Sequence, residues 1–231
     1  MRLFIDSSNV SQIKSLNEYF PIDGVTTNPS IIVKEQKPFL PLLKEIRNVI
    51  GEDKLLFVQT LSTRAEDIIE EARYIHDTLR GNLVVKIPVT KEGIKAIKTL
   101  SQENIHTLAT TVYTPMNAYV AAKAGANYVA PYVNRIDNLT GDGIRVVYEI
   151  MAIFQKFNFS CEVLAASFKN VQQIKEVSLT GAHGVTVSPD LIEAFLSNPP
   201  IKENVEQFRN EWIQLYGEEN ATLLEGKRKD D

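Results

Sequence analysis

Lys86 lies in the middle of a run, residues 82–90, that is otherwise typical of a strand buried on both faces. Because burial without a hydrogen-bonding partner disfavours an ammonium, it lowers the pKa of a lysine towards neutrality. A neutral lysine amine is a nucleophile that can form a Schiff base with a carbonyl substrate. This segment alone is also compatible with two structural roles for the lysine: a buried ion pair with an aspartate at a strand end, or a side chain that extends out through the mouth of the sheet.

The run around Lys86 is one of a series in which short apolar stretches alternate with longer segments of helical periodicity. Eight such pairs occur and no Gly-x-Gly-x-x-Gly turn follows the first, which favours a closed α/β TIM (β/α)8 barrel over a doubly wound open sheet. A chain of 231 residues suits one barrel, and we predict a single domain over residues 1–231. The predicted strands span residues 3–6, 24–27, 55–59, 83–88, 107–112, 128–132, 163–167 and 184–187.

Two helical segments carry further signals. Residues 63–79 have apolar side chains at three- and four-residue spacing, and Thr63 followed by Glu66 predicts a capping box at the start of that helix. Residues from about 201–217 predict an additional C-terminal helix, followed by a polar tail over residues 218–231. The apolar stripe of this C-terminal helix could pack on the barrel's own helices or on another subunit. The stripe consists of Val205, Phe208, Trp212, Ile213 and Tyr216.

Composition excludes several classes of function. The net charge of −4, from 25 basic and 29 acidic residues, provides no basic field for a nucleic acid. Cys161 is the only cysteine and the three histidines are dispersed, so no metal site is indicated. The apolar run before Asp6 is too short for a signal peptide or a membrane span. We therefore expect a soluble, cytoplasmic protein that acts on a small molecule and uses no cofactor.

Polar residues are concentrated where the predicted strands end, the edge that carries the active site in (β/α)8 barrels. Each has a structural alternative: Asn28 could be a turn residue, Ser167 a helix cap, and Arg135 the partner of Asp137 in a surface ion pair. Convergence of many such groups around one buried lysine favours a site, because buried polar groups need partners. The candidate residues are Asp6, Thr26, Asn28, Gln59, Lys86, Thr110, Tyr132, Arg135, Ser167 and Lys169.

Lys86 and Asp6 can be given the central chemistry. Lys86 would attack a ketone and form an iminium, whose positive charge withdraws electrons as the adjacent C–C bond breaks. Asp6 could form an ion pair with Lys86 at rest and could hold the hydroxyl that loses its proton during cleavage. The pair therefore predicts cleavage of a carbon–carbon bond next to a ketone.

The other candidates fall into a water site and a phosphate site. Gln59, Thr110 and Tyr132 could position one water, with the Tyr132 hydroxyl as a proton donor or acceptor. Either Thr110 or its neighbour Thr111 could face the barrel interior, and we favour Thr110. The phosphate site would combine donors and positive charge, with the arginine best suited to a two-point grip. It consists of Arg135, Ser167 and Lys169.

Five segments together resemble the small transaldolase family, and more closely its fructose-6-phosphate aldolase branch. They are residues 4–8, 24–30, 84–90, 130–137 and 164–169. The resemblance implies a (β/α)8 barrel in which Lys86 is the Schiff-base lysine, Asp6 its acid/base partner and Asn28 a substrate-positioning amide, with Thr26 among the substrate-binding residues. It implies the same phosphate site, and a homo-oligomer, a decamer, in which the C-terminal helix contacts a neighbour.

The water site separates the two branches of this family. Transaldolases resemble this chain but place glutamate, asparagine and phenylalanine where Gln59, Thr110 and Tyr132 stand. A neutral Gln59 weakens general-base control of the water and Tyr132 adds a hydroxyl, which favours release of a free ketone. We therefore expect a metal-independent class I aldolase that reversibly cleaves fructose 6-phosphate to dihydroxyacetone and glyceraldehyde 3-phosphate.

Two alternative functions are also compatible with these residues. One is a transaldolase that passes the dihydroxyacetone unit from fructose 6-phosphate to erythrose 4-phosphate. The other is a non-catalytic barrel that binds sugar phosphates through Arg135, Ser167 and Lys169, with Lys86 only an ionic partner of Asp6.

Overall fold

Eight parallel strands close into a barrel in sequential order, with the last strand paired to the first. The structure is a computed structural model that describes residues 1–223, apart from the side chain of Glu219. The expected TIM (β/α)8 barrel is confirmed. The strands are β1 (Arg2–Asp6), β2 (Gly24–Thr26), β3 (Leu55–Gln59), β4 (Leu83–Pro88), β5 (Thr107–Val112), β6 (Tyr128–Pro131), β7 (Glu162–Ala165) and β8 (Gly184–Val187).

Helices connect these strands and follow the last one. Short helices after β2 and β6 precede the longer helices that cover the outside of the barrel. The helices are α1 (Val10–Tyr19), α2 (Pro29–Ile32), α3 (Phe39–Ile50), α4 (Ala65–Thr78), α5 (Lys91–Gln102), α6 (Pro115–Lys123), α7 (Val133–Asp137), α8 (Gly143–Lys156), α9 (Val171–Leu179), α10 (Pro189–Ala194) and α11 (Pro199–Tyr216), with 3-10 turns at Val33–Glu35 and Glu218–Asn220.

The predicted strand bounds agree with the structure to within two residues. The largest difference is in β7, which ends at Ala165 rather than at Ser167. Ser167 has a φ of 63°, in the left-handed region, and cannot continue a strand. Only an isolated bridge between Ala166 and Tyr132 extends the pairing there. The side chain of Ser167 is thereby turned out of the β7 pleat.

The barrel interior is a packed apolar layer beneath the ends of the strands. The rings of Phe4 and Phe57 meet edge to face, with centroids 5.3 Å apart, and Val84 and Leu108 join the same cluster. Lys86 follows Val84 by two residues on β4 and so faces the same side of the strand. The lysine therefore points into the barrel directly above an apolar floor.

The predicted capping box of α4 is wrong. The helix starts at Ala65, and its N-cap residue Arg64 makes no side-chain cap. The Glu92 carboxylate of α5 accepts the backbone N–H of Ala65 at 2.9 Å. A neighbouring helix thus supplies the negative charge that the N-terminus of α4 favours, which sequence spacing within α4 could not indicate.

Gly93 lets α5 approach the end of β4. A Cβ at this position would lie 2.0 Å from the carbonyl oxygen of Pro88, so any side chain would force the helix away. The Thr90 hydroxyl caps the same helix by accepting the N–H of Gly93 at 3.0 Å. The C-terminal end of β4, the strand that carries Lys86, is therefore held in place by α5.

The chain divides into two compact units, one spanning Met1–Ile192 and the other beginning at Glu193. In the second unit α11 is two residues longer at its start than predicted, and its Val205 and Phe208 are exposed. The Trp212 indole donates to the carbonyl of Asn220 at 2.8 Å. Part of the predicted polar tail, residues 224–231, lies outside the described residues, and the single-domain organisation stays a prediction.

None of the helices within residues 1–223 combines the length and the apolar character needed to cross a bilayer.

Candidate active site

A cavity of about 80 Å³ opens where the strands end, above the apolar layer. It is well below the roughly 300–1,000 Å³ of a drug-sized pocket, so it suits the small reacting end of a ligand. Eight of the ten candidate residues line it: Asp6, Thr26, Asn28, Lys86, Thr110, Tyr132, Arg135 and Ser167. The remaining lining residues are Leu108, Ala130, Leu164, Ala166 and Thr186.

Lys86 is buried, with 6% of its surface exposed, and its Nζ donates a hydrogen bond to the Thr27 carbonyl at 2.6 Å. Burial lowers the pKa of Lys86. The Asp6 carboxylate opposes this effect and the Arg135 guanidinium adds to it. The site therefore favours the neutral amine, the form that attacks a carbonyl.

The predicted resting ion pair between Lys86 and Asp6 is not found among residues 1–223. The lysine donates to a backbone carbonyl instead. Asp6 Oδ1 accepts the hydroxyl of Thr26 at 2.7 Å and acts on Lys86 through its charge. Both side chains line the same cavity, but each has its hydrogen bond to another partner.

Thr186 belongs to this group and was missed by the sequence analysis. Its Oγ1 lies 2.5 Å from Oγ1 of Thr26, and both threonines are buried. A signal was available: β2 and β8 share the sequence Gly-Val-Thr, at residues 24–26 and 184–186. Since Thr26 faces the interior, the same alternation places Thr186 there as well.

Thr110 and Tyr132 form a hydroxyl pair in the cavity. Thr110 Oγ1 and Tyr132 Oη are 2.6 Å apart and both residues are buried. Thr111 is the neighbour that turns away, and its hydroxyl donates to the carbonyl of Thr110. It has a φ of 60°, unusual for a β-branched residue, where the register of β5 with β6 shifts. The register shift therefore lies next to Thr110, the residue that faces the cavity.

Gln59 is not among the residues that line this cavity. It pairs in register with Lys86 at the end of β3 and lines a neighbouring apolar pocket together with Asn28, Phe39 and Leu61. Thr110 and Tyr132 are therefore brought together, while Gln59 lies at the border between two pockets. Its predicted role at the water site stays a prediction.

The three phosphate-site candidates are placed differently. The Arg135 guanidinium stacks on the ring of Tyr132, 4.5 Å from its centroid, and Arg135 and Ser167 both line the cavity. Lys169 is exposed and does not line it. The structure thus brings two of the three together at the cavity.

The structural alternatives for these residues are wrong for Arg135 and Ser167. Asp137 accepts hydrogen bonds from the Gly143 N–H and the Gln173 side chain, and no ion pair with Arg135 forms among the described residues. The cap of α9 is Asn170 rather than Ser167. Arg135 and Ser167 are therefore left with polar groups that a ligand can use.

Asn28 begins a helix rather than a turn, and its substrate-positioning role stays a prediction. Its Oδ1 accepts the Ile31 N–H at 3.0 Å and caps α2, and its side chain also lines the cavity. Because Oδ1 is already occupied, Nδ2 is the group that remains for a ligand oxygen. Asn28 therefore presents a donor to the site.

Metal-ligating side chains do not cluster in the described part of the chain. No group of three or more His, Cys, Asp or Glu side chains could hold an ion there. Burial raises the pKa of Cys161 to about 12, which keeps its thiol protonated. The absence of a metal requirement stays a prediction for the reaction.

A comparison with protein families identifies the class of protein to which this site belongs. The family model described as transaldolase/fructose-6-phosphate aldolase matches residues 3–226, nearly the whole chain. Its description covers two activities, so it supports an enzyme of the aldolase type without choosing between them. The chain belongs to the transaldolase/fructose-6-phosphate aldolase family.

Proposed function

We propose that this protein is a class I aldolase that cleaves fructose 6-phosphate reversibly into dihydroxyacetone and glyceraldehyde 3-phosphate, without a metal. The observation that carries the proposal is the hydroxyl pair of Thr110 and Tyr132, 2.6 Å apart in the cavity that contains Lys86. Two hydroxyls that share a hydrogen bond can hold a water and pass a proton, which a phenylalanine at position 132 could not. This arrangement favours release of a free ketone over its storage for a second aldehyde.

The reaction begins at Lys86. Its neutral amine adds to the C2 carbonyl and the resulting carbinolamine loses water to give an iminium. Asp6 then takes the proton of the C4 hydroxyl. The C3–C4 bonding pair moves into the iminium to form an enamine, and C4 becomes the carbonyl of glyceraldehyde 3-phosphate. Arg135 and Ser167 hold the phosphate of this departing half.

The second half of the reaction releases the ketone. The enamine gains a proton at C3, delivered through the water that the Thr110 and Tyr132 hydroxyls hold. Water then adds at C2 of the iminium, and dihydroxyacetone leaves with Lys86 restored as an amine. In a transaldolase the enamine would instead wait for an aldehyde acceptor.

The test is an assay of purified protein with fructose 6-phosphate alone, in the presence of a chelator. Steady release of glyceraldehyde 3-phosphate is expected. Release only after erythrose 4-phosphate is added, with formation of sedoheptulose 7-phosphate, would identify a transaldolase instead. Absence of both reactions, with no borohydride-trapped dihydroxyacetone on Lys86, would leave a binding protein.

Replacing Tyr132 with phenylalanine should shift the enzyme from cleavage towards transfer. The change removes the hydroxyl bonded to Thr110, so protonation of the enamine slows while addition of an aldehyde does not. We expect the ratio of transfer to cleavage to rise by about tenfold or more. The ratio is measured from product formation with and without erythrose 4-phosphate. Tyr148→Phe on the exposed face of α8 is the control, and an unchanged ratio in Tyr132→Phe would remove Tyr132 from proton delivery.

Replacing Arg135 with alanine should weaken phosphorylated substrates selectively. Loss of a charged hydrogen bond costs about 1.5–3 kcal/mol, roughly a 10- to 150-fold loss in kcat/KM for fructose 6-phosphate. Borohydride trapping of dihydroxyacetone, which has no phosphate, should change far less when it is measured at a pH above the acid limb of trapping. Arg145→Ala, on the outer helix α8, serves as the control. Equal losses for both ligands would show that Arg135 does not bind the phosphate.

We also propose that the protein acts in the cytoplasm as a homo-oligomer, a decamer, whose C-terminal helices contact neighbouring subunits. The apolar Val205 and Phe208 on α11 are exposed and offer a surface for such contacts. Light scattering of the wild type and of a Val205→Glu/Phe208→Glu variant would test this. A wild-type monomer would refute it.

A further inference from the structure

The side chains around Asp6 form a directed chain of hydroxyl groups. Thr26 donates to Asp6 Oδ1 at 2.7 Å, and the Thr186 hydroxyl lies 2.5 Å from that of Thr26. A threonine hydroxyl has one proton, and Thr26 gives its proton to the carboxylate, which can only accept. Thr186 must therefore be the donor in the contact with Thr26, and the chain runs from Thr186 to Thr26 to Asp6.

The strand order explains why these residues meet. β1 carries Asp6 and is flanked by β2, which carries Thr26, and by β8, which carries Thr186. The two threonines meet across the inner face of β1, the strand that lies between theirs. Both threonines are buried, and the direction of the chain follows from the carboxylate at its end, which can only accept.

Packing alone does not account for a hydroxyl at position 186. Valine has the same branched shape as threonine. The two neighbours of Thr186 on β8, Val185 and Val187, are buried valines. Among residues 1–223, the hydroxyl of Thr186 has its hydrogen bond with Thr26. That bond leaves the Thr26 hydroxyl a single orientation, in which it donates its hydrogen bond to Asp6 Oδ1.

The consequence concerns the second carboxylate oxygen. Asp6 Oδ1 is occupied by Thr26, and among residues 1–223 no group hydrogen-bonds Oδ2. We infer that Thr186 is a positioning residue: through Thr26 it holds Oδ1 of Asp6 and leaves Oδ2 to move protons at Lys86 and its substrate. The inference rests on the proposed Schiff-base function.

Asp6 already transfers protons while the iminium forms, before the C–C bond is cleaved. When the Lys86 amine adds to the ketone, the ketone oxygen takes up one proton from solvent and becomes the carbinolamine hydroxyl, while Oδ2 takes a proton from the nitrogen. Oδ2 then returns that proton to the carbinolamine hydroxyl, which leaves as water while the nitrogen lone pair forms the C=N bond. Formation of the iminium therefore reports on Thr186 without any need for C–C cleavage.

The experiment measures how fast dihydroxyacetone is trapped on Lys86 by cyanoborohydride, followed by the mass of the intact protein. Thr186→Val should slow trapping about three- to tenfold, as for one lost hydrogen bond, with little change in the dihydroxyacetone concentration that gives half the maximal rate. Thr186→Ser keeps the hydroxyl and should trap at the wild-type rate. Thr107→Val is the matched control. The buried hydroxyl of Thr107 has no hydrogen-bond partner in the described structure, and Thr107 is the first residue of β5, at the end of that strand away from the cavity.

A double-mutant cycle distinguishes positioning from general structural damage. If Thr186 acts only through Thr26, Thr186→Val should cause no further slowing in a Thr26→Val background. Multiplicative losses, a serine variant as slow as the valine variant, or a Thr186→Val rate equal to wild type would each overturn the inference. Melting temperatures of all variants show whether the barrel is intact.

Failure of the proposed function gives a different result. A wild type that traps dihydroxyacetone but does not cleave fructose 6-phosphate contradicts the aldolase proposal, while the trapping rates still decide the role of Thr186. A wild type that traps nothing on Lys86 overturns both.

Discussion

Replacing Lys86 with methionine is expected to abolish cleavage of fructose 6-phosphate and, at the same time, to stabilise the protein. Without the amine no iminium can form, so we expect kcat to fall by about 10³-fold or more. Methionine fills a similar volume and removes the cost of burying or deprotonating an ammonium, which should raise the free energy of unfolding by about 1–3 kcal/mol at pH 7. The fructose 6-phosphate assay and urea unfolding measure the two effects.

The gain in stability from Lys86→Met should depend on pH in a definite direction. Burial lowers the pKa of Lys86 in the folded state below its ordinary value of 10.5, so the folded state binds fewer protons than the unfolded chain. The wild type therefore loses stability as the pH falls from about 10.5 through the lowered pKa of Lys86. The advantage of the methionine variant should be largest at neutral pH and shrink as the pH rises.

Lys14 provides the control for both effects. It lies exposed on α1, and Lys14→Met should leave cleavage unchanged and alter stability by no more than about 0.5 kcal/mol at any pH. A Lys86→Met enzyme that still cleaves its substrate would remove Lys86 from the reaction. A variant less stable than the wild type at pH 7 would contradict the desolvation argument.

Replacing Asp6 with asparagine should lower kcat by about 10²- to 10⁴-fold while leaving the barrel folded. The amide keeps an oxygen that can accept the Thr26 hydroxyl, but it cannot take up the proton of the substrate hydroxyl. Asp53→Asn, at the opposite end of the barrel before β3, is the control. Activity within about tenfold of the wild type would mean that another group moves this proton.

The same variant should shift the pH dependence of Schiff-base formation. The Asp6 carboxylate raises the pKa of Lys86 and the Arg135 guanidinium lowers it. Removing the carboxylate should therefore move the acid limb of dihydroxyacetone trapping to lower pH, because more of the amine is neutral. Arg135→Ala should move the limb to higher pH. Shifts in the same direction for both variants would contradict this balance of charges.

The fold was predictable because each strand is buried on both faces. In β4 the apolar residues from Leu83 to Ile87 admit no surface orientation, and Lys86 stands out against them. Residues at or near the end of a strand, such as Asp6 and Thr110, inherit their direction from the strand's alternation, so their convergence on one cavity also followed from the pattern.

What could not be predicted depends on contacts between distant segments. The hydrogen bond from Lys86 to Thr27 and the cap that Glu92 gives to α4 join residues whose relation is set only by closure of the barrel. The exposure of Lys169, beyond the end of β7, depends on a loop that the alternation of a strand does not control. The place of Thr186 in the site could have been predicted from the sequence, since Gly-Val-Thr occurs in both β2 and β8.

The pairing of β4 on both sides has a consequence for partial unfolding. Four residue pairs join β4 to β3 and four join it to β5, so the backbone that carries Lys86 can be released only when the barrel itself opens. Arg135 and Ser167 follow the ends of β6 and β7, which are joined to each other by two register pairs, so we expect local opening to be easier there. Amide hydrogens of β4 should therefore exchange with deuterium far more slowly than those around Ser167. Mild denaturant would then impair selection for phosphorylated sugars while the nucleophile stays in place, leaving a less discriminating catalyst.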